Sequence, residues 1–276
     1  MTQTLHYWID DTEICRELPD ADDQVLPGVP WGEPWVIFTP AYWLSQLWMS
    51  GLSDIPHSPY HACGTLDEEL VFCMLGGYGI TAELSTAAYD ACRVAGLIAA
   101  RESSIEKWTS VLQQPLDVNG RPVRYRYPSQ KAKYLAGAMT YLRSHNIRLN
   151  NGRALRDDLL KIKGVGPKTA GWVARNFLDS DEVAILDIHL VRAGILCRLF
   201  TPEQRVERDY FEMESRFIDF CRALDARPAV LDCLIWDQMR SFGDAALRVV
   251  ESICCEGGQQ TVLPIQPTQL QLSMAS

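Results

Sequence analysis

One lysine and one aspartate carry the sharpest chemical suggestion in this chain. The segment from Leu159 to Trp172 reads LLKIKGVGPKTAGW, and in it Lys168 follows Gly164-Val165-Gly166 and Pro167. A helix is predicted to break at Gly164, and a second to begin at Pro167, a residue pre-set for a first turn. Two glycines one residue apart permit positive φ and the close approach of another backbone. The first amides of the second helix have no acceptor within it, and with the helix dipole they form a site for an anion such as phosphate. Lys168 falls in that same first turn. There the positive end of the dipole disfavours an ammonium and favours a free amine, the nucleophilic form. Lys161 and Lys163 add to the local field. The plainer alternative is a solvated surface lysine. Nineteen residues further on, Asp187 interrupts an apolar run, with Val183, Ala184, Ile185 and Leu186 before it and Ile188 after it. A carboxylate buried there is costly unless bonded, so it reads as the N-cap of the next helix. From that place it can still present charge to a cleft. His189, two residues on, is a binding candidate or a helix-surface histidine.

Flat and basic groups surround this pair in the sequence. Trp172 lies one helical turn after Lys168 and shares its face, as a pocket wall or as core. Near the C-terminus Leu231, Leu234, Ile235, Gln238 and Phe242 share one helical face. Gln238 is then a polar amide on an apolar stripe and needs a partner, and Trp236 is a rival flat surface. From Arg121 to Lys133 cations alternate with aromatics, including Arg124, Tyr125, Tyr127 and Lys131. Such a segment suits a phosphate backbone, with Tyr125 and Tyr127 packed beneath it, or is a solvated face.

The elements that must position these residues are mainly helical. Helices are predicted from Thr39-Pro40, at Leu66–Leu75, about Thr86–Ala100 and Glu102–Gln113, and at Gln130–Ser144, Ala154–Ile162 and Pro167–Phe177. Three more follow at Ile188–Leu199, Arg205–Ala226 and Ala229–Phe242. Val36–Phe38 and Val123–Tyr127 are short strand candidates. Residues 1–35 show no sustained period and read as an irregular arm, 36–255 as the helical region with its hairpin at 154–177, and 256–276 as a disordered tail. The loop Gly76–Ile80 is placed by order alone as a wedge. The chain has 276 residues and a formal charge of −9, yet residues 121–175 hold 13 Lys/Arg against 2 acids. The total argues against a general nucleic-acid binder, while the segment argues for a local one. Nine scattered cysteines with no Cys-x-x-Cys pair suggest neither a zinc ribbon, nor a redox pair, nor an iron–sulfur cluster. Free thiols, the absence of a run near ~20 apolar residues and an acidic N-terminus predict a soluble cytoplasmic protein.

The hairpin residues Leu159, Ile162, Gly164, Val165, Gly166, Pro167, Lys168, Thr169 and Ala170 resemble the helix-hairpin-helix of the DNA glycosylase superfamily. That superfamily includes endonuclease III and the 8-oxoguanine DNA glycosylases. A second match, AILDIHLVR at 184–192, carries Asp187 and His189, and QKAKY at 130–134 is similar to a string that opens a helix in family members. The resemblance implies a helix-hairpin-helix glycosylase fold, two helical halves around a cleft, with Lys168 and Asp187 as the catalytic pair. It implies DNA contacts from Gly164, Val165, Gly166 and Lys163, and from His189 to a phosphate. Trp172 would help to sandwich the base, and Gln238 with Phe242 would read and stack on it, which favours oxidised guanine. The implied activity is a bifunctional N-glycosylase and abasic-site lyase on double-stranded DNA, acting as a monomer without an organic cofactor or structural metal. Hairpin carbonyls in such proteins often hold a monovalent cation. The alternative reading is a non-catalytic hairpin module that binds DNA.

Overall fold

The structure, a computed structural model, describes residues 1–51, 62, 64–77, 79–243, 246 and 248–249. The expected tail at 256–276, together with Tyr78, Cys63, Cys254 and Cys255, lies outside them.

The N-terminal arm is ordered rather than irregular. Strands β1 (Gln3–Ile9) and β2 (Thr12–Leu18) pair antiparallel, from Gln3↔Leu18 to Ile9↔Thr12. Asp10 and Asp11 form the two-residue loop, with φ of 46° and 62°. Positive φ at both positions gives the turn whose twist matches a hairpin, and aspartate tolerates it. Tyr7 and Leu18 turn inward while Thr4, His6 and Trp8 face water. That period of two is short and carries a histidine and a tryptophan on its wet face, which hides it in the sequence. Strands β3 (Gln24–Leu26) and β4 (Val29–Pro30) follow. Val36–Phe38 is a turn, not a strand, with Phe38 at φ 72°.

Thr39 then caps α1 (Pro40–Ser50), its hydroxyl accepting from the Tyr42 amide at 3.1 Å. Thr65 and Glu68 form a reciprocal capping box at the start of α2 (Leu66–Leu75). Helices α3 (Ala82–Val94) and α4 (Ile105–Leu112) begin at Thr81 and Ser104 caps. The expected strand at Val123–Tyr127 is displaced upstream. Strand β5 (Leu116–Val118) pairs with β6 (Arg121–Val123) around Asn119-Gly120, while Tyr125 leaves the sheet so that its hydroxyl donates to the Leu75 carbonyl. Then come α5 (Pro128–Ser144), α6 (Gly152–Leu159), α7 (Pro167–Leu178), α8 (Ile188–Leu196), α9 (Val206–Ala223) and α10 (Pro228–Phe242).

Two hydrophobic cores result. One is built from α2 to α7, with Trp108, Leu135, Leu155 and Val173 fully covered. The other joins the N-terminal arm and α1 to α8, α9 and α10, around Trp43, Met213 and Leu231. The chain passes from the first to the second between Val183 and Ala184. No helix among the described residues is long and apolar enough to cross a membrane.

Candidate active site

The hairpin between α6 and α7 divides its two glycines between two tasks. Gly164 takes the positive φ, 92°, and a Cβ there would lie 2.5 Å from the Tyr134 ring. Gly166 is extended, at φ −97° and ψ 175°, and has open space where a Cβ would stand. Acting as N-cap of α7, it brings no side chain to the helix end. The amides of Gly166, Lys168 and Thr169 therefore find no acceptor among the described residues, and they face outward as an anion site does. Val165 points its side chain into the core, so only its backbone remains for a ligand. The carbonyls of Lys161, Lys163 and Val165 accept no hydrogen bond among the described residues. Those oxygens fit a hard monovalent cation by donor type.

Lys168, the second residue of α7, is exposed. Asp187 is half-buried and caps α8: one oxygen, Oδ1, accepts from the amides of His189 at 2.8 Å and Leu190 at 2.9 Å. Its other oxygen has no partner among the described residues. Packing fixes the relation of the two elements. The Ala184 carbonyl lies 3.0 Å from where a Cβ of Gly171 would be, so the 183–187 segment crosses α7 at close range. Tyr210 clamps that segment from α9, its hydroxyl donating to the Ala184 carbonyl at 2.9 Å and accepting from the Leu186 amide. The charges of Lys168 and Asp187 both reach His189 and Asp232, which brings the pair to one locality.

His189 lies edge-on to Trp236, with ring centroids 6.1 Å apart, and its Nδ1 is covered and without a partner among the described residues. Burial lowers its proton affinity, against the opposing charge of Asp187. Trp236 also receives the Arg240 guanidinium over its ring at 5.3 Å. Trp172 packs edge-on to Phe72 at 6.1 Å and against Gly76. Arg124 and Lys163 are exposed and unpaired among the described residues.

Two expectations are corrected. Lys131 is not presented to a phosphate: its ammonium donates to the carbonyls of Met74 and of Gly76, the latter at 2.7 Å. It ties the end of α2 to α5, and burial pulls its pKa down to about 8. Gln238 and Phe242 do not form an open reading pair. The Gln238 amide oxygen accepts from the Tyr42 hydroxyl at 2.7 Å, and its nitrogen donates to Gln46 at 3.0 Å. Phe242 meets Phe38 edge-on at 5.1 Å. The reason is that α1 and the segment before it cover this face of α10, while Trp236, on another face, turns toward His189.

Residues that the sequence pattern did not single out lie beneath the pair. Arg175, two turns after Lys168 on α7, bonds Asp232 of α10 at 2.5 Å, with side chains only 11% and 6% exposed. Arg175 also donates to Asn176 Oδ1, and Asn176 donates to Glu69 at 2.7 Å. Asp232 lies to one side of the stripe formed by Leu231, Leu234 and Ile235, so the pattern that picks out Gln238 passes over it. A separate cavity of about 500 Å³, between Thr65–Glu68, Arg101 and His145, contains none of these residues.

The family model for 8-oxoguanine DNA glycosylase matches residues 61–226, more than half of the chain. An 8-oxoguanine DNA glycosylase/AP lyase of Metallosphaera sedula is 34% identical over 120 residues, which cover 41% of this chain and 57% of that protein. The chain thus spans somewhat over half the length of this relative. Among solved structures, the 8-oxoguanine DNA glycosylase of Thermotoga maritima is similar at 22% identity and a TM-score of 0.49, over 63% of this chain and 78% of that one. That of Methanocaldococcus jannaschii is similar at 24% identity and the same TM-score, over 64% and 78%. With the hairpin, the lysine and the capping aspartate in place inside the matched region, the chain belongs to the 8-oxoguanine DNA glycosylase family of helix-hairpin-helix proteins.

Proposed function

We propose that this protein is a bifunctional DNA N-glycosylase and abasic-site lyase, acting as a monomer in the cytoplasm on double-stranded DNA with a damaged base. The observation that carries the reading is the convergence of Lys168 and Asp187. An exposed amine at the head of the hairpin helix shares its neighbours with a carboxylate that keeps one oxygen unbonded among the described residues. The outward amides of Gly166, Lys168 and Thr169 suit a DNA phosphate, and a monovalent cation at the hairpin carbonyls would reinforce that contact. Oxidised guanine is favoured because the relatives are named for it, not because of Gln238 and Phe242. The described cysteines are free thiols, as a reducing compartment requires.

In this mechanism Asp187 stabilises positive charge developing on the sugar as the glycosidic bond lengthens. The neutral amine of Lys168 attacks C1′, and the base leaves with the bonding electron pair and takes up a proton. The attached amine gives up one proton, the ring oxygen takes one up, and the sugar ring opens to a protonated Schiff base. This acidifies the C2′ proton, whose removal expels the 3′ phosphate and cuts the strand. Trp172 and Trp236 supply flat surfaces for an extruded nucleotide.

Borohydride trapping on an abasic-site duplex tests the reading. The wild type is expected to form a covalent adduct, and Lys168→Gln none. Asp187→Asn, which keeps an oxygen for the α8 cap, is expected to melt like the wild type yet lose at least ~100-fold in excision. A wild type that forms no adduct leaves the hairpin as a non-catalytic DNA clamp. A panel of lesion-bearing duplexes then identifies the base.

A further inference from the structure

The ion pair beneath Lys168 is an unusual thing to bury. Taking a guanidinium and a carboxylate out of water costs several kcal/mol per ion, and apolar residues of similar volume often serve stability as well or better. Arg175 and Asp232 nonetheless lie covered at the seam between the two cores, one on the helix that carries Lys168 in its first turn and one on the helix that carries Trp236. The second acid of the seam, Glu69, meets the neutral amide of Asn176, so the carboxylate bonded to Arg175 is Asp232. Lys168 and Asp187 both lie within electrostatic reach of Asp232.

We infer that Asp232 is a positioning residue for the proposed reaction: by pairing with Arg175 it cancels the buried positive charge under Lys168 and leaves the charge of that amine to be governed by Asp187. The inference rests on the lyase reading above. Arg175 stands seven residues along α7 from Lys168, roughly 10 Å by helix rise. At an effective dielectric near ~20, an uncompensated unit charge at that distance shifts a proton equilibrium by about one pH unit. Other groups face this seam. From α2 there is Cys73, which feels Lys168 and Arg175. From α8 and its cap there are His189 and Asp187, with Arg192 and Arg240 acting on His189. From α9 there are Tyr210 and Cys221, and beside Asp232 on α10 there is Cys233. Of these, His189, whose proton affinity burial lowers, must be separated, and burial pushes Asp232 itself up to about 7, so the profiles are compared above that pH, where its carboxylate is charged.

The experiment is the pH profile of borohydride trapping on an abasic-site duplex with the full chain. Trapping needs the neutral amine, so it rises with pH. Asp232→Asn leaves Arg175 unpaired, and its half-maximal pH is expected to fall by about one unit. The paired variant Arg175→Met/Asp232→Leu removes both charges with the seam filled, and its half-maximal pH is expected to match the wild type within a few tenths. The downward move must persist when both profiles are taken in a His189→Asn background. A merely structural role would lower the yield at every pH without moving the midpoint, and that result overturns the inference while the lyase reading stands. If Asp232→Asn does not fold, the paired variant decides. A folded paired variant with a displaced midpoint, or with no adduct at any pH, overturns the inference. A wild type that never traps removes the lyase reading and this inference with it.

Discussion

An ammonium held among carbonyls and away from water is costly to keep charged, and Lys131 is so placed. Its donors reach Met74 and Gly76 from the middle of the polypeptide's most basic segment. Burial lowers its pKa from the ordinary 10.5 to about 8. Between those two values the folded chain has released this proton while the unfolded chain still holds it. Stability therefore rises with pH through that window, and below about 8 the window closes because both states are charged. In Lys131→Met the same contribution is absent. The urea midpoint of the wild type minus that of the variant is expected to climb from pH 8 to pH 10, whereas a solvated Lys131 free to meet phosphate would give a flat difference. At this scale the sequence was legible where backbone geometry dictates chemistry. Lys168 follows a glycine break and Pro167, and Asp187 caps a helix after an apolar run, so local rules locate both. Lys131, Gln238 and Asp232 were not legible in the same way. Their partners are Gly76, Tyr42 and Arg175, which come from elements 55 to 196 residues away in sequence, and no local pattern encodes such meetings.

Single elements show the same division between local and distant causes. Thr39, Thr65 and Pro167 announce α1, α2 and α7 because caps and first-turn prolines act within a few residues. The β1–β2 hairpin went unread because its turn uses Asp10-Asp11 without glycine, and its pairing is confirmed only by packing of Leu18 in the second core. The α6–α7 hairpin allows a direct test of what its glycines do. Gly164→Ala forces a side chain into positive φ and onto the Tyr134 ring. It is expected to cost about 1–3 kcal/mol, read in a denaturant titration. Gly166→Ser should act in the opposite direction on stability. The residue already has the extended N-cap conformation, the space is open, and a serine oxygen can accept from the orphan amides. A gain of about 0.5 kcal/mol is expected. The same oxygen occupies the amides assigned to phosphate, so affinity for an abasic duplex should fall at least several-fold. A serine that stabilises the fold without weakening the complex would remove the hairpin amides from the DNA contact.

Across the whole molecule, charge is segregated more finely than the sequence total or the segment total suggests. Of the 13 cations between Arg121 and Arg175, seven are held internally. Lys131 and Arg143 bond backbone carbonyls, Arg148 and Lys161 share Asp158, Arg153 bonds Glu182, Arg156 pairs with Glu214, and Arg175 with Asp232. Arg121, Arg124, Arg126, Lys133, Lys163 and Lys168 are exposed and bond no acid among the described residues. Counterion release counts phosphates that are neutralised, about 0.9 in the slope of log K against log salt for each one. The six available cations of this segment thus contribute at most about −5 to that slope, whereas the full segment would contribute more than twice as much. A salt series of anisotropy titrations with an abasic duplex is expected to give a slope between about −3 and −5, and Arg124→Ala or Lys163→Ala should each reduce its magnitude by about 1. A slope near −10 would require the internal pairs to open on binding, with Asp158 and Glu214 left to find other partners. A slope near zero would move the basic face away from DNA altogether. The acidic remainder, which brings the chain to −9 overall, acts in the same direction as the small number of available cations, because net negative charge weakens the attraction of any phosphate backbone.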